Sequence, residues 1–156
     1  MKASMYSRYY TAPCSVIRVD FDDNHSLLAL NWAEAVPPWA EMLSGHWADT
    51  LNAYFSGSLK QFAHPVSRNG TAFQQKVWQA IAQIPYGQVA SYGDIARAIG
   101  SAPRAVGQAC GKNPLPIIVP CHRVVSSSGL GGFSFGGDEA SLAIKRWLLQ
   151  HEGATW

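Results

Sequence analysis

The chain has 156 residues, an ordinary apolar fraction for a globular protein, six tryptophans and a net charge of +2. That length suits one domain, or a small N-terminal unit followed by a compact C-terminal one. No apolar run approaches the length a membrane span needs, and "MKASMYSRYYTAPCSV" has no signal-peptide core, so a cytoplasmic protein is expected. Three widely spaced cysteines, Cys14, Cys110 and Cys121, fit a reducing compartment better than a disulfide framework, and no CxxC pair or His/Cys cluster has zinc-ligand spacing. Residues 1–67 carry four basic against six acidic residues and residues 68–156 eight against four, so the C-terminal part is the one suited to a polyanion.

Residues 6–32 read as strands. "SVIRVDF" alternates apolar and polar residues, "DDNH" has turn chemistry and "SLLALNW" follows, which predicts a hairpin. After "AVPP", Trp39, Met42, Leu43, Trp47, Leu51, Tyr54 and Phe55 recur at helical spacing and predict an amphipathic helix over 38–55. The loop-like "SGSLKQFAHPVSRNG" then places a boundary near 57–70.

Thr71 with Gln74 reads as a capping box, opening a helix with Phe73, Val77, Ala80, Ile81 and Ile84 on one stripe and Pro85 at its end. "PYGQ" is a turn. Ser91 with Asp94 reads as a second capping box, and Gly100 stops that short helix. Pro103 suits the first turn of another, 102–110, with Gly111 as its stop. Two short helices joined by a tight turn have helix-turn-helix form. "IIV" (117–119) reads as a short buried strand, "SSSGLGGFSFGG" (126–137) as an irregular loop. A last helix is expected from Asp138 or Ser141 to about His151, with Leu142, Trp147 and Leu148 available for the core.

"IIVPCHRVV" (117–125) sets a thiol, an imidazole and a guanidinium beside an apolar run. A thiol becomes a strong nucleophile as a thiolate, which needs a base, a positive charge or a helix N-terminus nearby. In an extended segment Cys121 and His122 point to opposite sides, so a bridging water is the natural link between them. A carboxylate should orient the imidazole, and Glu152 in "LLQHEG" is the candidate. The bland readings are a buried inert thiol, a satisfied core histidine, and a solvated or structural ion-pair role for Arg123.

The motif "PCHRV" resembles the active-site signature of the O6-alkylguanine-DNA alkyltransferases, also called methylated-DNA–protein-cysteine methyltransferases. The likeness runs from "FQQKVWQAIAQIPYGQVASYGDIA" through "RAVGQACGKNPLPIIVPCHRVV" to "LAIKRWLLQHEG", roughly residues 72–153. It implies an α/β (α+β) chain. A small strand-rich N-terminal domain with a helix (ribonuclease H-like, 1–67) precedes a mostly helical alkyltransferase domain (68–156) with a winged helix-turn-helix-like motif and a cysteine active-site loop.

The resemblance further implies direct DNA repair: one irreversible transfer of an alkyl group from O6 of guanine to Cys121, with O4 of thymine left open as a second source. His122, held by Glu152, would take the thiol proton through water. Asn113 would brace the turn between recognition helix and active site. Tyr92 would hydrogen-bond the flipped base, the main chain at Cys121 and Val124 would read its edge, and the amide of Ser134 would meet the guanine oxygen. Arg104 would fill the hole left by the base, with Ala105 and Gly107 allowing close approach to the minor groove of double-stranded DNA. No cofactor or metal is implied, and a monomer with no membrane association is expected.

Two departures from the family pattern carry expectations, and the zinc site of some members is not carried over. The link from Tyr92 to Arg104 is shorter and has Pro103 where a small residue is usual, so the recognition helix should start later or tilt. The Gly-rich loop is altered, with a few residues inserted before the final helix and the usual tyrosine either replaced by Phe133 or shifted, which bears on which alkyl groups fit. Cys14 and His64 match the zinc site of some members at most partly. The alternative is a non-catalytic module that binds the alkyl lesion and recruits other repair; the intact Cys121 speaks against it. A transcription regulator would bring an extra DNA-binding domain. A cysteine hydrolase would cycle, whereas a transferase stops after one equivalent.

Overall fold

The computed structural model describes residues 5–64, 69–130 and 139–156. The chain divides into two compact units, Met1–Lys60 and Gln61–Trp156.

The first unit is a three-stranded antiparallel meander, β1 (Met5–Thr11), β2 (Val16–Asp22) and β3 (Leu27–Ala33), followed by helix α1 (His46–Phe55). The expected hairpin is β2–β3, closed by Asp22, whose Oδ1 accepts from the amides of Asn24 and Ser26 at 2.9 Å each. β1 adds to the other edge of β2, pairing Met5 with Asp22 through Thr11 with Val16. Alternation puts Ile17, Val19 and Phe21 into the core. The buried Asp20 is satisfied by Ser7, Arg18 and Asn31.

The helix expected over 38–55 begins only at His46. Residues 41–43 instead run beside β1: Tyr9 N donates to Glu41 O at 3.0 Å and Leu43 N to Tyr9 O at 2.7 Å. An open strand edge outcompetes helical periodicity here, because its unpaired backbone groups need partners. Gly45, at φ +74°, then turns the chain into α1, and Trp39 and Met42 remain 76% and 50% exposed.

The second unit is built on α2 (Ala72–Ala82), α3 (Tyr92–Ile99) and α4 (Pro103–Cys110). Both capping boxes form. Gln74 N donates to Thr71 Oγ1 at 3.0 Å, and Asp94 N to Ser91 Oγ at 2.9 Å, each with the reciprocal bond. Gly100 ends α3 in the left-handed conformation at φ +71°. Helix α4 starts at Pro103, in the first-turn position that proline favours, so the later start expected for it is not seen. The core face of α2 is Val77, Trp78 and Ile81, while Phe73 lies on the exposed side of the expected stripe. The Trp78 indole donates to Ala109 O at 2.9 Å and ties α2 to α4.

"IIV" is buried but is a turn, not a strand. Ile117 sits at φ +74°, a strained conformation for a β-branched residue. The turn is held from Asn113, whose Nδ2 donates to Val119 O at 2.9 Å while its Oδ1 accepts from Leu115 N at 3.0 Å. Cys121–Arg123 is a single 3-10 turn, so the extended geometry expected at Cys121–His122 is also corrected. It leads into β5 (Val124–Val125), which pairs in parallel with β4 (Ala90–Ser91), just ahead of α3.

Helix α5 (Glu139–His151) buries Ser141, Lys145, Leu148 and Leu149, whereas Leu142 and Trp147 are half-buried. Leu149 packs with Val125 and Ala154. Gly87 of "PYGQ" has φ +81°, and a Cβ there would lie 3.1 Å from the carbonyl of Glu152. That close approach seats the turn after α2 against the residue following α5.

Candidate active site

The 3-10 turn at Cys121–Arg123 meets the end of α5 in one buried cluster. Cys121 is 2% exposed, and Asn113 Nδ2 donates to its sulfur at 3.1 Å. Burial pushes the thiol well above its ordinary range, and the neighbouring Cys110 adds to the effect. The Asn113 hydrogen bond and the charge of Lys145 act in the opposite direction. The resting thiol is therefore protonated, and a base must remove its proton before it can attack.

His122 Nε2 and Glu152 Oε2 lie 2.9 Å apart, both buried. Arg123 forks onto the same carboxylate, Nε to Oε1 at 2.8 Å and Nη2 to Oε2 at 2.9 Å. Burial alone would raise Glu152, but the bonds from His122 and Arg123 prevail and hold it well below the usual carboxylate range. Burial lowers His122, so the ring is neutral at neutral pH. An ionised carboxylate only accepts, so the ring proton sits on Nε2 and Nδ1 carries the lone pair.

A cleft of about 630 Å³ opens between α3 and α4, lined by residues that include Tyr92, Arg97, Arg104, Gly107, Ser126 and Ser127. Its size is that of a small-ligand site. Tyr92 lines the cleft, and burial raises its phenol above the ordinary range. Lys145 Nζ donates to Val124 O at 2.7 Å and lies 5.8 Å from the centre of the Tyr92 ring. Burial pushes Lys145 down to about 8, and negative charge on the sulfur of Cys110 or Cys121 would act in the opposite direction.

The structure thus brings together two bonded sets on one turn, Cys121 with Asn113 and His122 with Glu152, and sets Tyr92, Arg104 and Gly107 on the cleft. Ala105 is not with them. Two residues along a helix from Gly107, it turns to a second hollow with Thr71, Phe73, Gln74 and Gln108. The buried Val124 has its carbonyl bonded by Lys145, while its amide donates to Cys121 O. Ser134 and Phe133 lie outside the described residues. Sequence reasoning missed Lys145 and left Arg123 among solvated or structural ion pairs. The signal for Lys145 was available: it shares the i, i+4, i+7, i+8 stripe of Ser141, Leu148 and Leu149, where a charged residue is out of place.

Residues 72–154 match the family model described as 6-O-methylguanine DNA methyltransferase, DNA binding domain. The constitutive methylated-DNA–protein-cysteine methyltransferase of Bacillus subtilis is 46% identical over 133 residues, covering 81% of this chain and 78% of that protein. The crystal structure of Mycobacterium tuberculosis O6-methylguanine methyltransferase superposes with a TM-score of 0.80 at 37% identity, covering 96% of this chain and 93% of that one. The structure of Mycobacterium tuberculosis OGT in complex with DNA gives 0.76 at 38% identity, covering 94% and 92%. The chain belongs to the methylated-DNA–protein-cysteine methyltransferase family.

Proposed function

We propose that this chain repairs DNA by direct reversal, taking the alkyl group from O6 of guanine onto Cys121. The observation that carries the reading is the buried cluster itself: a thiol fixed by Asn113, in the same turn as a neutral imidazole bonded to an anionic carboxylate. His122 takes the thiol proton through water. The thiolate attacks the alkyl carbon, the new S–C bond forms as the C–O bond breaks, and the electron pair leaves on the guanine. Tyr92, at the cleft, hydrogen-bonds the base and gives a proton to it as it leaves. The product is a thioether on Cys121, so each molecule reacts once. Displacement at carbon by a thiolate asks for positioning and charge, which these side chains supply.

The duplex binds through the helix-turn-helix α3–α4, with α4 in the minor groove and the damaged base turned out into the cleft. Arg104, exposed at the start of α4, fills the vacated space. The protein acts as a monomer in the cytoplasm. Its three cysteines are unbridged, and no helix among the described residues is long and apolar enough to cross a membrane.

Two experiments test this reading. Titration with duplex carrying a single labelled O6-methylguanine should saturate at one methyl per protein; repeated turnover would mark a hydrolase. Arg104→Ala should slow transfer from duplex about 10- to 100-fold while leaving transfer from the free nucleoside unchanged, because only the duplex requires base extrusion. Equal losses on both substrates would remove Arg104 from the flipping step.

A further inference from the structure

Arg123 has no part in the reaction as described above, yet its guanidinium is fully engaged inside the protein. Besides its fork onto Glu152, Nη1 donates to Ile84 O at 2.7 Å, and the group lies 5.7 Å from the centre of the Tyr86 ring. A buried arginine–carboxylate pair is a poor way to stabilise a core, since a packed apolar pair serves as well or better. Its place beside His122 suggests a different purpose.

Glu152 Oε2 accepts from both His122 and Arg123. A buried carboxylate with only an imidazole for company draws a second proton onto the ring, and an imidazolium has no lone pair with which to take a proton from a thiol. Arg123 removes that demand, because the carboxylate already has a permanent cation. Burial is the main influence keeping His122 neutral. Among the charges, Glu152 after α5 pulls towards protonation, while Arg123 in its own turn and Lys145 on α5 push against it. From the α2 side come the Ile84 carbonyl and the Tyr86 phenol, both against Arg123; the charged residue of α2, Lys76, is exposed.

We propose that Arg123 is a positioning residue: by bonding both oxygens of Glu152 it supplies the positive charge that carboxylate needs, so that His122 stays neutral, with its proton on Nε2 and its Nδ1 lone pair open to the thiol proton of Cys121. The proposal rests on the transfer reading given above.

The test is the pH dependence of single-turnover methyl transfer from an O6-methylguanine duplex, with the His122 ring titrated by NMR in the same full-length proteins. In Arg123→Gln the His122 midpoint should rise by about one pH unit. The acidic limb of the rate should move with it, so that transfer below the new midpoint falls about ten-fold and recovers in alkali. Adding Glu152→Gln should return the midpoint, since no anion then remains. If Arg123→Gln does not fold, Arg123→Lys carries the test, with a smaller shift in the same direction. An unchanged midpoint in a folded variant, or a loss of rate equal at every pH, overturns the inference. If the unmodified protein transfers nothing to Cys121, the transfer reading fails instead, and the NMR titration still decides what Arg123 does to His122.

Discussion

Cys121→Ser should bind an O6-methylguanine duplex as the unmodified protein does and transfer nothing. Serine keeps the size of the side chain and can still accept from Asn113, but its hydroxyl ionises far above the thiol and is a much weaker nucleophile. The site is 2% exposed, so a hydroxyl there costs about 1–3 kcal/mol in stability. Thermal denaturation should show a folded protein with a lowered midpoint, which separates lost chemistry from lost structure. Methyl transfer by the folded variant would mean that another residue accepts the alkyl group.

Glu152→Ala should have the largest effect on stability. It leaves the Arg123 guanidinium and the His122 N–H buried beside an empty site, and breaking such a pair costs about 3–5 kcal/mol. Urea unfolding at neutral pH measures this directly. The pH dependence has a definite sign. Glu152 is held well below its unfolded value, so its contribution is fully present above pH ~4.3 and drains away as the pH falls through the acid range. His122 is depressed by burial, so the unfolded chain also takes up its proton first, and stability begins to fall below pH ~6.5. The alanine variant should lose the lower of these two windows. An unchanged acid slope would mean that Glu152 is not held as an anion by its neighbours.

The parts of this fold that the sequence makes legible are those decided locally. Thr71 with Gln74, Ser91 with Asp94, Gly100 and Pro103 each settle a helix end through groups within a few residues, and α2, α3 and α4 begin or end where those residues stand. The segment 38–45 was decided at long range by the open edge beside Tyr9, which no helical period can report. "IIV" has the composition of a strand, but Asn113 ties it into a turn and Ile117 takes a backbone angle its side chain disfavours. At the site, Glu152 could be proposed because a histidine base wants a carboxylate. The engagement of Arg123 with that same carboxylate was hidden, because an isolated arginine most often points to water.

The central claim is that one sulfur, that of Cys121, takes the alkyl group from DNA. The most direct measurement is the intact mass of the protein after incubation with duplex carrying one O6-methylguanine, followed by mapping of the modified peptide. The account requires a gain of one methylene mass, saturating at one per protein and located on the peptide that contains Cys121. A gain on the peptide of Cys14 or Cys110, or tight lesion binding with no gain at all, would contradict it.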